Sequence, residues 1–565
     1  MLRFWWALTC TVAAFPGQAI GAQTPRELRS GSAFDTTLNP NSPHDYRLRV
    51  SKGESVDLVV QQMGVDVVVE LRDPRGVVSL FDSPNGRNGP EAVEIVSDRS
   101  GVYSLRVRAF DTREPIGRYR VEVKSWRDAR ETTALLRGRQ LARDSAVEWL
   151  SARSAPVATS GILSSLAPIT PLDSLAARAR VIGIGEATHG SRELNDFRLS
   201  AVHRLVEHNG YRIIAIEAST ARLDVLNKYV SGAIDEGSQV TRALEAGWIG
   251  RRAQRQLLPW LRQWNRTHQG EKVSLIGVDP QDNEIARDSL SAFLSRAYGS
   301  DFMAKLAPMF RVFAAADSQT LVFGDSNVDS ATRATSLQLL ATLDLDAPVL
   351  ALRFGSGPVE ASLNAVRQLV QFAEFNASGG GLTNRSRDYF MALNLFSALA
   401  AAGPDSRAVF LAHNAHVAHP QNRSPNARTT GAWLREWLGC EYAALATSFG
   451  EGAFVAQIPN DPADRLAVSQ LPASPPESID AILSRINGGA AIVAWPCHVT
   501  LAIPSWLTRP HPMHWVGGLF APGSAPSDAF RSFDLLKDFD GVFYLPRVTA
   551  DEMPADRPLI PARKR

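Results

Sequence analysis

Cysteine is scarce in this chain. Its 565 residues hold three, Cys10, Cys440 and Cys497, too few for a disulfide-built scaffold or a cysteine-built metal centre. Cys10 sits inside an N-terminal apolar run, and spacing alone does not decide whether Cys440 and Cys497 pair. Charge of one sign is also lacking. The net charge is +2 with no long basic or acidic run, which gives nucleic acid or an anionic membrane nothing to hold. No segment repeats at a solenoid period. No Gly-x-Ser-x-Gly elbow follows a predicted strand, so a serine nucleophile of the α/β-hydrolase type has no support. The N-terminal run, Phe4 to Phe15, is too short to anchor in a bilayer. It follows Arg3 and precedes the small residues Ala19, Gly21 and Ala22. A cleaved secretory signal over 1–22 is predicted, with a secreted or periplasmic product that has no membrane span.

What is present divides into regions. The length calls for more than one core. Over 32–126 the apolar period is two, as in Asp45-Tyr46-Arg47-Leu48-Arg49-Val50 and Tyr119-Arg120-Val121-Glu122-Val123, with turns at Lys52-Gly53-Glu54 and Asp73-Pro74-Arg75-Gly76. Short alternating strands at this spacing predict a small antiparallel sandwich. The phrases Leu71-Arg72-Asp73-Pro74-Arg75-Gly76 and Gly101-Val102-Tyr103-Ser104-Leu105-Arg106-Val107 make it resemble the pre-peptidase C-terminal domain, which implies an accessory module. Residues 127–150 read as a connecting helix. The expected architecture is an N-terminal all-β sandwich followed by an α/β core with helical insertions.

The core is predicted from apolar runs that end in polar residues. Val181-Ile182-Gly183-Ile184 leads to Gly185-Glu186-Ala187-Thr188-His189-Gly190, and an amphipathic helix carrying Phe197 and Val202 follows, closing at His208-Asn209-Gly210. Tyr211 to Ile216 ends in Glu217, Val273 to Val278 ends in Asp279, and Ala408 to Ala412 runs into His413-Asn414-Ala415-His416. Buried strands in open α/β sheets place ligands at their carboxyl ends. Four strands that each turn acidic or basic at that end predict one shared polar site.

In order and spacing these motifs, with Arg387-Asp388-Tyr389-Phe390-Met391-Ala392-Leu393-Asn394 and Thr430-Gly431-Ala432-Trp433-Leu434, resemble the erythromycin esterase family over 145–553. The resemblance implies a secreted carboxylic ester hydrolase, with macrolide lactones and antibiotic resistance in its scope. It matches His189 to the histidine that activates water and Glu186 and Glu217 to the acids beside it. Arg198, His413 and His416 match the remaining cleft residues, while Asp279, Arg387 and Asn414 sit in matching motifs with a substrate-binding role. The segment 284–394 is a helical insert that could cover the cleft, with a flexible loop at Ser378-Gly379-Gly380-Gly381.

The chemistry stands without the family. Ester hydrolysis needs a base that titrates near neutrality, and histidine is the default. A carboxylate beside it fixes the tautomer and stabilises the imidazolium. The oxyanion needs donors, for which His413, His416 and Arg198 are available. No cofactor is called for. A divalent cation on the two glutamates and three histidines is the alternative, as is a non-catalytic binding protein on the same fold. His203 and His208 are read as surface or helix-end residues and His419 as a turn residue, none of them as ligands. Trp248, Trp260 and Trp264 are expected between helices, and Trp433 and Trp437 in the core.

Overall fold

The computed structural model describes residues 25–82, 86–157, 169–245, 251–317, 328–376, 387–420, 428–459, 461, 465–486, 489–499, 502–552 and 559–560. The signal-peptide call over 1–22, Trp248 and the Ser378–Gly381 loop lie outside them. The chain forms two compact units, divided between Leu141 and Ala142. The division falls inside one helix, Ala129–Ser151.

The first unit is the predicted sandwich. One sheet runs Arg26–Glu27, His44–Val50, Gly101–Ala109, Val67–Arg72, Val78–Phe81. The other runs Ala33–Leu38, Gly117–Arg127, Ser55–Met63, Asn88–Val96. Alternation decides which side chains go inward. Tyr46, Leu48 and Val50 from one sheet meet Leu58, Val60 and Val121 from the other in a single core. Tyr119 is fully buried in that core. Its hydroxyl would be costly there unpaired, and it meets the Tyr46 hydroxyl and His44 Nδ1, each at 2.7 Å.

The second unit is built on a ten-stranded sheet. Its central order is Gly541–Val548, Tyr442–Gln457, Val181–Ile184, Ala408–Leu411, Ile213–Ser219, Ser274–Asp279, and all neighbours in this run are parallel. Antiparallel strands Ala491–Ala494 and Ser154–Pro156 extend one side. The body of these strands is mostly apolar because helices cover both faces, and polar residues gather toward their carboxyl ends. Ile182, Ile184, Ile214, Ile216, Val409 and Leu411 point into one core, where Phe197 and Leu205 of helix Arg192–Asn209 pack. Val181, Ile213, Ala215, Ala408 and Phe410 point into the other, with Leu395 and Leu434. Helix Arg192–Asn209 is capped by Ser191 and ends at Gly210 with φ +73°, as the His208-Asn209-Gly210 phrase predicted.

The helical insert has a core of its own. Helices Glu284–Tyr298, Ser300–Asp317, Ser330–Phe354 and Ser356–Phe375 share Leu290, Phe293, Phe313, Leu343 and Phe372. Helix Arg387–Ala402, which begins inside the expected 284–394 insert and runs past its end, instead buries Met391, Leu395 and Leu399 in the core under the sheet.

Register explains how distant motifs meet. Leu411 pairs with both Ile184 and Ile216, and Ile216 pairs with Gly277. These four residues form one row across the sheet. Glu186 and His413 come two residues past the row, Glu217 one past it, and Asp279 two past it, so all emerge on one edge.

The opposite edge has a different build. Asp540, directly before strand Gly541–Val548, is buried and accepts hydrogen bonds from Arg178 at 2.7 Å, from the Ala444 amide at 2.9 Å and from Arg435. His419 lies against it at 3.0 Å, which accounts for its burial. Cys440 and Cys497 form a disulfide here, with Cα atoms 5.7 Å apart, on the wall of a cavity of about 530 Å³. The bridge closes a loop of 57 residues, and chain-entropy reasoning assigns such a loop about 4 kcal/mol. Thermal melts with and without a dithiol reductant are expected to differ accordingly, with Cys440→Ser/Cys497→Ser melting like the reduced protein.

Candidate active site

The site loop is shaped by close approaches. A Cβ on Gly185 would lie 2.0 Å from Asn414 Oδ1, and one on Gly190 would lie 2.0 Å from the Val455 carbonyl oxygen. Any side chain at either position would push the loop off the sheet edge. Within the loop, His189 Nδ1 and Glu186 Oε1 are 2.6 Å apart. Glu186 is buried and acceptor-only when ionised, so Nδ1 carries the proton and Nε2 is the basic nitrogen. Glu186 Oε2 accepts from Arg198 and, at 3.0 Å, from Arg251. Burial favours the neutral acid, but the guanidinium groups of Arg198 and Arg251 outweigh it and hold the carboxyl well below the usual range.

Glu217 organises a second group. Its Oε2 accepts from the His413 amide at 2.8 Å, and its Oε1 accepts from Arg387 at 2.9 Å and faces His416 Nε2 at 3.2 Å. His416 Nδ1 reaches Asp388 Oδ1 at 2.7 Å. Burial opposes a charged ring here, but Asp388 and Glu217 prevail and raise His416 to about 10. Both ring nitrogens therefore donate, and the 3.3 Å approach of Arg387 Nη1 to His416 Nε2 is a contact between two donors rather than a hydrogen bond.

His413 is the opposite case. Burial, reinforced by His189, pushes it down to about 3. Its Nδ1 accepts from the Ala415 amide at 3.2 Å, so the proton sits on Nε2, which has the Ala187 carbonyl at a long 3.4 Å. The rings of His189 and His413 meet edge-on with centroids 5.6 Å apart, and Trp515 also meets the His413 ring edge-on, at 4.8 Å.

The fold thus brings Glu186, His189, Arg198, Glu217, His413 and His416 to one edge. Asp279 and Arg387 are there too, but they engage each other: Arg387 grips Asp279 in a bidentate pair of 2.9 and 2.6 Å while holding Glu217. That pair braces Glu217 and spends the groups that substrate binding would need. Asn414 is likewise committed. Its amide exchanges two hydrogen bonds with the Thr447 backbone, at 2.8 and 3.1 Å, and so ties the turn after strand Ala408–Leu411 to strand Tyr442–Gln457. As oxyanion donors, Arg198 and His416 are turned toward carboxylates, which leaves His413 as the neutral N–H in the group. Both oxygens of Glu186 and of Glu217 already accept from N–H groups, so a divalent cation would share these carboxylates with the donors around them. Among the described residues, the one set of three or more histidine, cysteine or acidic side chains with metal-ligand spacing is Cys440, Cys497 and His498, by the disulfide.

Sequence reasoning missed Arg251, Asn195, Asp551 and Trp515, and did not assign Asp388 a role. Asp388 stood inside a motif, next to Arg387. Arg251 and Asp551 carry no local signal; they reach Glu186 and Asn195 across 65 and 356 residues of chain.

The profile of the erythromycin esterase family matches residues 206–548. The chain belongs to the erythromycin esterase family. It is 24% identical over 267 residues to the Escherichia coli erythromycin esterase type I, a match covering 44% of this chain and 64% of that one. To the Escherichia coli erythromycin esterase type II it is 20% identical over 433 residues, covering 72% and 98%. A solved mutant erythromycin esterase in its open conformation superposes with a TM-score of 0.51 at 19% identity, over 71% of this chain and 99% of that one. That likeness shows the shared α/β fold.

The charge state of His416 has a measurable consequence. Its folded-state affinity for a proton exceeds the unfolded value, 6.5, so its contribution to stability is complete below pH 6.5 and is lost as pH rises toward 10. Wild-type protein is expected to lose melting temperature across pH 7–10 more steeply than His416→Gln, and parallel slopes in the two proteins would contradict the assignment.

Proposed function

We propose that the protein hydrolyses a carboxylic ester or lactone with water activated by His189. The observation that carries this reading is the 2.6 Å pairing of His189 Nδ1 with a buried Glu186 that two arginines keep ionised. With Nδ1 donating, Nε2 takes the proton from water as it attacks the acyl carbon. Glu186 stabilises the imidazolium that results, without itself being protonated. The carbonyl oxygen becomes an oxyanion, and the Nε2–H of neutral His413 is the donor suited to it. The protonated His189 then hands its proton to the leaving alkoxide as the tetrahedral intermediate collapses. His416 and Arg387, themselves held by Asp388 and Asp279, hold Glu217, which holds the His413 amide.

Thiol nucleophiles have no support: Cys440 and Cys497 are joined in a disulfide near Asp540, at the amino edge of the strands. That disulfide fits the proposed export to an oxidising compartment. The relatives' names make macrolide lactones the first substrates to test, beside simple aryl esters. No cofactor is part of the proposal.

Purified protein is expected to turn over one of these substrates with equal rates before and after dialysis against a chelator. His189→Asn should lose about 10³-fold in kcat while keeping its melting temperature. Near-wild-type activity in His189→Asn would remove it as the base. Activity lost to chelator and restored by zinc would favour the metal-dependent alternative. A trapped covalent acyl-enzyme would exclude direct attack by water, and complete inactivity on every ester and lactone would favour the binding-protein alternative.

A further inference from the structure

The chain that follows strand Gly541–Val548 crosses the end of the site loop, where helix Arg192–Asn209 begins. Ser191 and Ala550 form an antiparallel bridge, and the Arg192 amide donates to the Thr549 carbonyl at 3.0 Å. The Gly190 carbonyl accepts twice, from the Asp551 amide at 2.9 Å and from the Val455 amide at 3.0 Å. The Asp551 side chain is wholly buried. Its Oδ2 accepts from Asn195 Nδ2 at 2.9 Å, and its Oδ1 accepts from Arg252 Nε at 3.3 Å.

Asn195 passes this on. Its Nδ2 also donates to the His189 carbonyl, at 3.2 Å, while its Oδ1 accepts from Arg251 Nη1 at 3.3 Å. A carboxylate on one side requires the NH₂ there, and a guanidinium on the other requires the oxygen there, so the amide has a single satisfied orientation. Arg251 Nη1 in turn donates to the His189 carbonyl and to Glu186 Oε2. The backbone of His189 is therefore held by two donors, each aimed by a buried carboxylate.

We infer that Asp551 is a positioning residue for His189, acting through Asn195 to set the backbone from which the imidazole reaches Glu186. The inference rests on His189 being the base. Its physical ground is the sensitivity of proton transfer to placement: a displacement of about 1 Å at a reacting group costs about 10²-fold in rate. Removing the Asp551 carboxylate leaves the Asn195 amide aimed by Arg251 alone, so one of the two donors to the His189 carbonyl is held less firmly.

The test uses full-length Asp551→Ala, Asn195→Ala, the double variant and Asp551→Asn, which retains an acceptor oxygen toward Asn195. On an ester that the wild type hydrolyses, each alanine variant is expected to lose 10- to 100-fold in kcat with KM within twofold. The double variant should be no slower than the slower single, since both act along one path, and Asp551→Asn should recover to within about fivefold of wild type. A folded Asp551→Ala with kcat within twofold of wild type, or losses that multiply in the double variant, would overturn the inference. A second readout needs no substrate: the pH dependence of carbethoxylation of His189 by diethyl pyrocarbonate, followed by peptide mass spectrometry. Asp551→Ala should shift that curve, and a curve identical to wild type would overturn the inference even where no ester is found. If Asp551→Ala fails to fold, Asn195→Ala carries both measurements with the same expected and opposing outcomes.

Discussion

Everything at the site depends on keeping carboxylates ionised where water is scarce. Glu186, Glu217, Asp279 and Asp388 lie on one edge of the sheet and are balanced by Arg198, Arg251, Arg387 and protonated His416. Burying one such charge alone costs several kcal/mol, whereas a paired and hydrogen-bonded set is tolerated. The cluster therefore stands or falls as a unit. Its product is asymmetry between three imidazoles. One, His416, is locked in the charged form between two acids. Another, His413, is locked neutral by burial and by a neighbouring histidine. The third, His189, has an ionised partner on Nδ1 that puts the proton there, the tautomer that the proposed general base requires.

The cluster is assembled by crossover connections rather than by local chain. Strand Ala408–Leu411 inserts between Val181–Ile184 and Ile213–Ser219, which interleaves a late segment with two early ones. This is why His413 stands between Glu186 and Glu217, and why the Glu217 carboxylate can cap the His413 amide. Because the row Ile184, Leu411, Ile216, Gly277 is in register, a slip of one residue in any strand would turn a buried isoleucine or leucine toward the other core and carry its polar terminus off the edge. The hydrophobic layers on both faces therefore set the geometry of the polar cluster as well as the stability.

Much of this was legible in the chain. The sandwich showed itself through period-two alternation, the core strands through β-branched runs, and the helix end at Gly210 through its Asn-Gly phrase. The polar residues at strand ends were readable because an acid or histidine closing a buried run is conspicuous. Residues that work from elsewhere were not. Arg251, directly before the amphipathic helix Arg252–Thr267, and Asp551 belong to no motif, and their value arises only from where the fold places their partners. The opposite error came from residues whose motifs suggested ligand contact. Arg387, Asp279 and Asn414 are polar and lie close to the site, but the structure commits each to another protein group. Sequence patterns mark residue type and proximity, while hydrogen-bond valence is settled in three dimensions.

The sequence by itself determined the two-part architecture, the strands of the second unit and the set of acids and imidazoles at their ends, because burial and periodicity are written in local residue order. Only the tertiary structure decided that Cys440 meets Cys497, which histidine is charged and which neutral, and that the end of the chain returns to hold the loop of His189. Those outcomes depend on distances between groups hundreds of residues apart, and electrostatic and hydrogen-bond energies are functions of distance rather than of position in the chain.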